Sequence, residues 1–144
     1  MARSTLRCGG ALATVLLLGA GVPPTGVDLT INNLRNGRGM LRLCVTSDPR
    51  YFPDCTDDPA AVSRSVAATE HSVAFSLPAG RYAVSLIHDE NGNGKLDTLL
   101  GIPKEGFAFS RNPPIRFGAP RYDDASFHVG ESRSVQTLRV RYLL

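Results

Sequence analysis

The feature that most constrains the fold of this chain is the alternation of apolar and polar residues in short stretches that glycine and proline interrupt. In one stretch Val27, Leu29 and Ile31 fall on one side of an extended chain. The stretches with this pattern are residues 27–34, 40–46, 73–77, 81–88, 125–129 and 135–142. No stretch keeps a helical period of 3.6 residues. The sequence therefore predicts an all-β fold, a single antiparallel β-sandwich of about seven strands, with a small closed barrel as the alternative.

The turns between these stretches predict how some strands connect. Asn36-Gly37 lies between the first two stretches and tolerates positive φ at both positions, so we expect those two strands to form a hairpin. Residues 81–88 are apolar on both faces, which is typical of a central strand. Residues 47–64 are rich in proline and aspartate and predict a loop with a short helical turn.

Residues 1–20 have the pattern of a secretory signal peptide rather than of a folded segment. Arg3 and Arg7 precede the apolar run of residues 11–18, and small residues follow it. The run is shorter than the roughly 20 residues that a membrane-spanning helix needs. A buried N-terminal helix or an uncleaved anchor are the alternatives. We expect cleavage within residues 20–26 and a β-sandwich domain over residues 27–142, located in the periplasm, at the cell surface or outside the cell.

Removal of this segment changes the charge of the chain. The whole chain carries 16 basic and 13 acidic residues, a net charge of +3, whereas the remainder carries 14 and 13. The remaining arginines are scattered, and phosphate-backbone binding needs several basic groups on one surface. We therefore expect no nucleic-acid partner and no stable membrane span in the mature protein, and instead an unidentified protein or carbohydrate partner.

Two cysteines remain beyond the first segment, Cys44 and Cys55. In an oxidising compartment such a pair is expected to form a disulfide, and two reduced cysteines are the alternative. The bridge would staple a loop that holds two prolines and several turn-forming residues. Chain-entropy models give such a short loop about 2–3 kcal/mol of stabilisation.

Side-chain oxygens recur at alternate positions in residues 89–97, whose sequence is DENGNGKLD. Gly94 stands at the sixth position, where a calcium loop turns sharply, and Leu96 at the eighth, which is normally apolar. Ca²⁺ prefers six to eight oxygen ligands, and alternate residues of a coiled loop converge on one point. The predicted calcium ligands are Asp89, Asn91, Asn93, Lys95 through its backbone carbonyl, and Asp97.

The match to a calcium loop is incomplete. The twelfth position is Leu100 instead of a bidentate glutamate, so water, Glu90, Glu105 or the Asp123-Asp124 pair would have to complete the shell. With few negative charges, we expect an affinity of roughly 10⁻⁴–10⁻³ M and a structural role for the ion. A plain polar turn that uses asparagine and glycine for positive φ is the alternative.

The same region carries a family resemblance. Residues 74–112, with HDENGNGKLD at their centre, and the later segment RFGAPRYDDASFHV resemble an uncharacterised bacterial family of exported domains of unknown function. The segment LPAGRYAVSL is similar to transthyretin-like and carboxypeptidase-regulatory modules, which implies an immunoglobulin-like or transthyretin-like sandwich. Arg111 stands where the family commonly has asparagine, and the cysteine pair is not a family feature. The resemblance implies no catalytic residue.

The remaining polar residues favour a non-catalytic module. Strand alternation places His88 and Ser85 on opposite faces, whereas a nucleophile and its base must be in contact. We expect His88 to orient the loop that follows it. A secreted hydrolase that uses the carboxylates of Glu90, Glu105 and Asp123 is the alternative function.

A second exposed feature combines residues 101–109 with residues 113–117. Its aromatic and aliphatic side chains either fill the core or form an apolar surface for a ligand or protein. The side chains concerned are Ile102, Phe107, Phe109, Ile115 and Phe117.

Overall fold

The computed structural model describes residues 25–144, so the predicted signal peptide lies outside the described residues. Within them the chain forms ten strands, one short α-helix and one 3-10 helix. The elements are β1 (Gly26–Asn32), β2 (Met40–Thr46), the 3-10 helix Pro49–Tyr51, β3 (Val62–Ala67), β4 (Ser72–Ser76), β5 (Gly80–Asp89), β6 (Thr98–Leu99), β7 (Ile102–Pro103), β8 (Gly106–Phe109), α1 (Tyr122–Ala125), β9 (Phe127–Val129) and β10 (Ser134–Arg139).

The strands form two main sheets that face each other. One sheet has the order β10-β1-β4, and the other has the order β3-β2-β5-β8 with β9 also paired to β5. The short strands β6 and β7 pair with each other. The predicted all-β sandwich is therefore confirmed, and the open sheets exclude the closed alternative. One pair departs from the antiparallel expectation, because β1 and β10 run parallel.

The core lies between the two main sheets. The alternating residues of β1 are buried there from one side, and those of β2 from the other. Phe75 and Leu138 add large buried side chains from the first sheet, and Leu86 from the second. This burial of one strand face is what the two-residue repeat of the sequence indicates.

The predicted hairpin between the first two strands is wrong. β1 pairs with β4 and β10, whereas β2 pairs with β3 and β5 in the other sheet. The connection crosses between the sheets and contains two positive φ values, 66° at Asn33 and 73° at Gly39. A side chain at Gly39 would meet the backbone oxygen of Asp89, so the crossing passes close to the end of β5.

The prediction of a central strand for residues 81–88 is confirmed. Strand β5 pairs with β2 along one edge and with β9 and then β8 along the other. Strand β3, which the sequence did not indicate, lies at the open edge of this sheet and is mostly exposed. Arg64, on the face of β3 that points toward the first sheet, is charged, and its guanidinium carbon lies 5.2 Å from the ring centroid of Phe75. A charged residue at this position hides the apolar–polar alternation of the strand.

The predicted disulfide joins Cys44 on β2 to Cys55, with 6.4 Å between the Cα atoms. We call residues 47–61 the disulfide loop. Phe52 in this loop packs edge-on against Phe109 at 5.7 Å and Tyr122 at 6.0 Å. The Thr46 hydroxyl donates to Asp58 Oδ2 at 2.5 Å. As predicted, the loop contains a short helical turn, the 3-10 helix Pro49–Tyr51.

Candidate functional site

The loop that carries the predicted ligands begins where β5 ends. We call residues 89–97 the polar loop. Two of its glycines have positive φ, 72° at Gly92 and 86° at Gly94, so the chain turns where the sequence pattern requires a turn. The turn brings the polar side chains of the loop back toward the end of the five-stranded sheet.

Asp89 is fully buried at the start of the polar loop. Its Oδ2 accepts from Arg42 Nε at 2.5 Å and from the Gly94 N–H at 2.9 Å, and its Oδ1 accepts from the Asn93 N–H at 3.1 Å. Burial raises the pKa of this carboxyl, but the bonds from Arg42 and from the two backbone groups outweigh it and lower the pKa. Asp89 is therefore a paired carboxylate whose acceptor sites serve the protein.

Asp97 is the point on which the asparagines converge. Asn91 Nδ2 donates to Asp97 Oδ2 at 2.6 Å, and Asn93 Nδ2 lies 2.9 Å from both Asp97 oxygens. These bonds lower the pKa of the Asp97 carboxyl. The amide oxygens of Asn91 and Asn93 accept the N–H groups of Asn93 and Lys95 at 3.1 Å. Three predicted ligands thus meet at one point, while Asp89 turns to Arg42.

Glu105 closes the polar loop. Its Oε1 accepts from the Glu90 N–H at 3.0 Å and its Oε2 from the Asp97 N–H at 3.1 Å. Its side chain reaches both ends of the loop because β8 begins at the next residue and pairs with the end of β5. Glu105 is only 5% exposed. The sequence indicates Glu105 as a possible ligand or catalytic group. Its two bonds to the polar loop depend on the pairing of β5 with β8, which the sequence pattern does not reveal.

A second polar network lies behind the loop. Glu90 Oε1 accepts from Arg35 Nε at 2.6 Å, and this bond outweighs burial and lowers the pKa of Glu90. His88 is fully buried, with Nε2 at 2.8 Å from the Arg38 carbonyl and Nδ1 at 2.7 Å from the Tyr142 hydroxyl. Because a carbonyl only accepts, Nε2 carries the proton. His88 thus anchors the end of β5 to Arg38 and Tyr142, and its expected role in orienting the polar loop stays a prediction.

The structure does not bring together the three carboxylates of the predicted hydrolase. Asp123 lies in α1 and its Oδ1 accepts from Arg81 at 2.9 Å. Arg81 is at the beginning of β5 and Glu90 directly follows its end. About 30 Å of strand separates Arg81 from Glu90. Asp123 and Asp124 therefore lie far from the polar loop and from Glu105.

Within residues 25–144, no group of three or more histidine, cysteine, aspartate or glutamate side chains is arranged to hold a metal ion. The oxygens that the polar loop offers come from Asp97 and, after rotation of their amides, from Asn91 and Asn93. Asp89 would join such a set only in competition with Arg42.

The outer face of the five-stranded sheet, which points away from the core, forms a broad groove of about 820 Å³. We call it the outer groove. Strand residues form its floor, while parts of the polar loop, the disulfide loop and residues 115–119 line its sides. The floor side chains are Arg42, Cys44, Ser63, Ser65, Ser85, Ile87, Phe107 and Phe109.

Residues 101–109 and 113–117, for which the sequence left open core packing or an exposed apolar surface, do both. Phe107 and Phe109 are buried in a small cluster on the outer face of the sheet, with Tyr122 and the partly buried Ile115. Ile102 is 44% exposed at the side of the outer groove. Phe117 is fully exposed. The segments therefore both pack against the sheet and present apolar surface.

Comparisons with known proteins identify a family and no activity. A family model described as "Uncharacterized protein conserved in bacteria (DUF2141)" matches residues 29–137. No curated protein and no solved structure gives a significant match. The similarity to transthyretin-like modules stays a prediction. In the described part of the chain, no helix has the length and apolar character to cross a membrane.

Proposed function

The chain belongs to the uncharacterised bacterial family DUF2141, and we propose that it is an exported, non-catalytic β-sandwich module that binds a ligand and whose polar loop is braced by Ca²⁺. Export is supported by the signal-peptide pattern of residues 1–20 and by the Cys44–Cys55 disulfide, which is typical of oxidising compartments.

The observation that carries this proposal is the commitment of the candidate catalytic carboxylates to structural partners. Glu90 pairs with Arg35, Glu105 accepts two backbone N–H groups, and Asp123 lies at the opposite end of β5. Hydrolysis by paired carboxylates needs two such groups across one bond, about 5–10 Å apart. The outer groove, in contrast, offers an open surface for binding.

The calcium brace is supported by the convergence of Asn91, Asn93 and Asp97. Rotation of the two amides would exchange their N–H₂ groups for carbonyl oxygens, which are ligands of the kind that Ca²⁺ prefers, at the loss of the bonds that these oxygens accept from the Asn93 and Lys95 N–H groups. The ion would also have to compete with Arg42 for Asp89. Both requirements favour the weak affinity of extracellular modules, roughly 10⁻⁴–10⁻³ M.

A calcium titration of thermal unfolding tests the brace. At 10 mM Ca²⁺ we expect a stabilisation of about 1–3 kcal/mol relative to chelator, and therefore a Tm higher by several degrees. Asp97→Asn keeps the shape of the side chain but removes its charge, so the shift should disappear. Asp124→Asn, at the opposite end of the sheet, should keep the shift. An unchanged Tm in the wild type, or an equal shift in Asp97→Asn, contradicts the brace.

A screen with chromogenic esters and glycosides tests the absence of catalysis. We expect no turnover above the buffer rate. Turnover that disappears in Glu90→Gln or in Glu105→Gln would instead establish a hydrolase.

A further inference from the structure

The geometry points to an amphipathic anion, an acyl chain that ends in one carboxylate, as the ligand of the outer groove. This inference rests on the proposed non-catalytic binding function and names the ligand class. The groove is about 820 Å³, within the usual range of roughly 300–1,000 Å³ for sites that bind small molecules.

The floor of the outer groove provides the apolar part of the site. Ile87 and Phe107 are cross-strand partners on β5 and β8, and Phe109 is the partner of Ser85 one row away. Ile102 and Ile115 add apolar side chains from the sides of the groove. A chain of methylene groups laid along this floor would bury apolar surface at about 25 cal/mol per Å².

The charge of the outer groove selects an anion. Lys95 and Arg116 line it from two different loops, both are exposed, and neither forms an ion pair with any described residue. Two further cations line the groove: Arg42, already paired with Asp89, and Arg64, which stacks on Phe75. Asp54 is the one carboxylate among the lining residues. A single negative group is thus attracted, whereas a cationic ligand would be repelled.

The chemistry of the floor disfavours an extended peptide and a sugar. Peptides commonly bind sheets by adding a strand to an edge, where free N–H and C=O groups pair with them. The backbone groups of β2 and β5 are already paired with neighbouring strands on both sides. The open edge of this sheet is at β3, so a strand added there would lie beside the apolar floor and not on it. Ser85 donates its hydroxyl hydrogen to the Pro53 carbonyl. The remaining serines of the floor, Ser63 and Ser65, lie on β3 at its margin, so the part formed by β5 and β8 has few polar groups to offer a ligand rich in hydroxyl or amide groups.

Isothermal titration with laurate, below its micelle concentration and in the presence of chelator, tests this inference on the whole mature chain. Chelator makes the test independent of the calcium brace. We expect saturable binding with one site per chain. Dodecyltrimethylammonium, which has a chain of the same length and the opposite charge, should bind at least tenfold more weakly, and acetate should not bind.

Variants locate the binding. Ile87→Glu should abolish laurate binding, and Lys95→Glu and Arg116→Glu should each weaken it on the order of tenfold. Arg139→Glu reverses an exposed charge that does not line the outer groove and should leave the affinity unchanged. Circular dichroism of each variant checks that the fold is retained.

The inference is overturned if laurate gives no saturable binding, or if the cationic amphiphile binds as tightly. It is also overturned if the groove variants bind laurate like the wild type, or if the protein binds anionic lipid vesicles but not free laurate. None of these outcomes concerns the hydrolase screen or the calcium titration, so the ligand class fails separately from the proposed function.

Discussion

The two loops that border the outer groove are held in different ways. The disulfide loop is fixed by the covalent Cys44–Cys55 bond and by the packing of Phe52 on aromatic rings. The polar loop is fixed by carboxylates that accept hydrogen bonds from backbone N–H groups and from the Arg42 side chain. The first set of contacts does not depend on ionisation, whereas the second loses strength when its carboxylates are protonated. Charge therefore contributes more to the polar-loop side of the groove, although Asp48 and Asp58 also accept hydrogen bonds in the disulfide loop.

Asp89→Ala should cause the largest loss of stability, and the contacts that it removes are those that hold the polar loop. The substitution leaves Arg42 and the Gly94 N–H without their carboxylate acceptor at a fully buried position, and leaves the Asn93 N–H with Asn91 Oδ1 alone. Breaking a buried ion pair costs about 3–5 kcal/mol, and Arg42 regains part of this from water because its side chain is 32% exposed. We expect the free energy of unfolding in urea to fall by about 3 kcal/mol.

Asp28→Ala is the matched control for this variant. Asp28 also pairs with an arginine, Arg133, but its side chain is 49% exposed. Water replaces most of such an exposed contact, so the loss of stability should be much smaller. Equal losses in the two variants would show that the polar loop gains nothing from burial of its carboxylate.

Removal of the disulfide should have the next largest effect and should loosen the other loop. The double substitution Cys44→Ser and Cys55→Ser opens a cross-link of sequence separation 11, and we expect a loss of about 2–3 kcal/mol. Limited proteolysis should then cut faster within residues 47–61, because only non-covalent contacts, such as the packing of Phe52 and the Ser85–Pro53 hydrogen bond, still hold them.

The polar loop should keep its resistance to proteolysis in this double variant, since none of its bonds involves the cysteines. Reductant should accelerate cleavage of the wild type and leave the double variant unchanged. Equal acceleration at both loops would mean that the two sides of the outer groove are one cooperative unit.

The sequence predicts what local spacing controls and misses what strand pairing controls. Alternation identified the buried faces of β1 and β2, but the same alternation fits strands that lie side by side and strands that face each other across a core. The side chains of Asn91, Asn93 and Asp97, which the spacing of the polar loop singles out, meet in the structure, and their binding of calcium stays a prediction. The partner of Asp89 is Arg42, 47 residues away, and only the β2–β5 pairing places it there.

The smallest and most local difference between the two loops should be in how their stability changes with pH. The folded-state pKa values of Asp89 and Glu90 lie below their ordinary values of 3.8 and 4.5. A depressed pKa contributes stability that is fully present above the ordinary value and is lost as the pH falls through the folded-state value. The free energy of unfolding should therefore be constant above about pH 5 and fall below it.

Amide hydrogen exchange resolves this effect at single residues. The Asn93 and Gly94 N–H groups donate to the Asp89 carboxylate, so their protection factors should fall as the pH drops below the ordinary pKa of Asp89. The Cys55 N–H donates to the Tyr51 carbonyl at 2.7 Å, which does not titrate, so its protection should change only with global stability. Asp89→Asn removes the titrating group and should remove the difference in pH dependence between the loops. If Asn93 and Cys55 lose protection together across this range in the wild type, the polar loop is not held by the charge of Asp89.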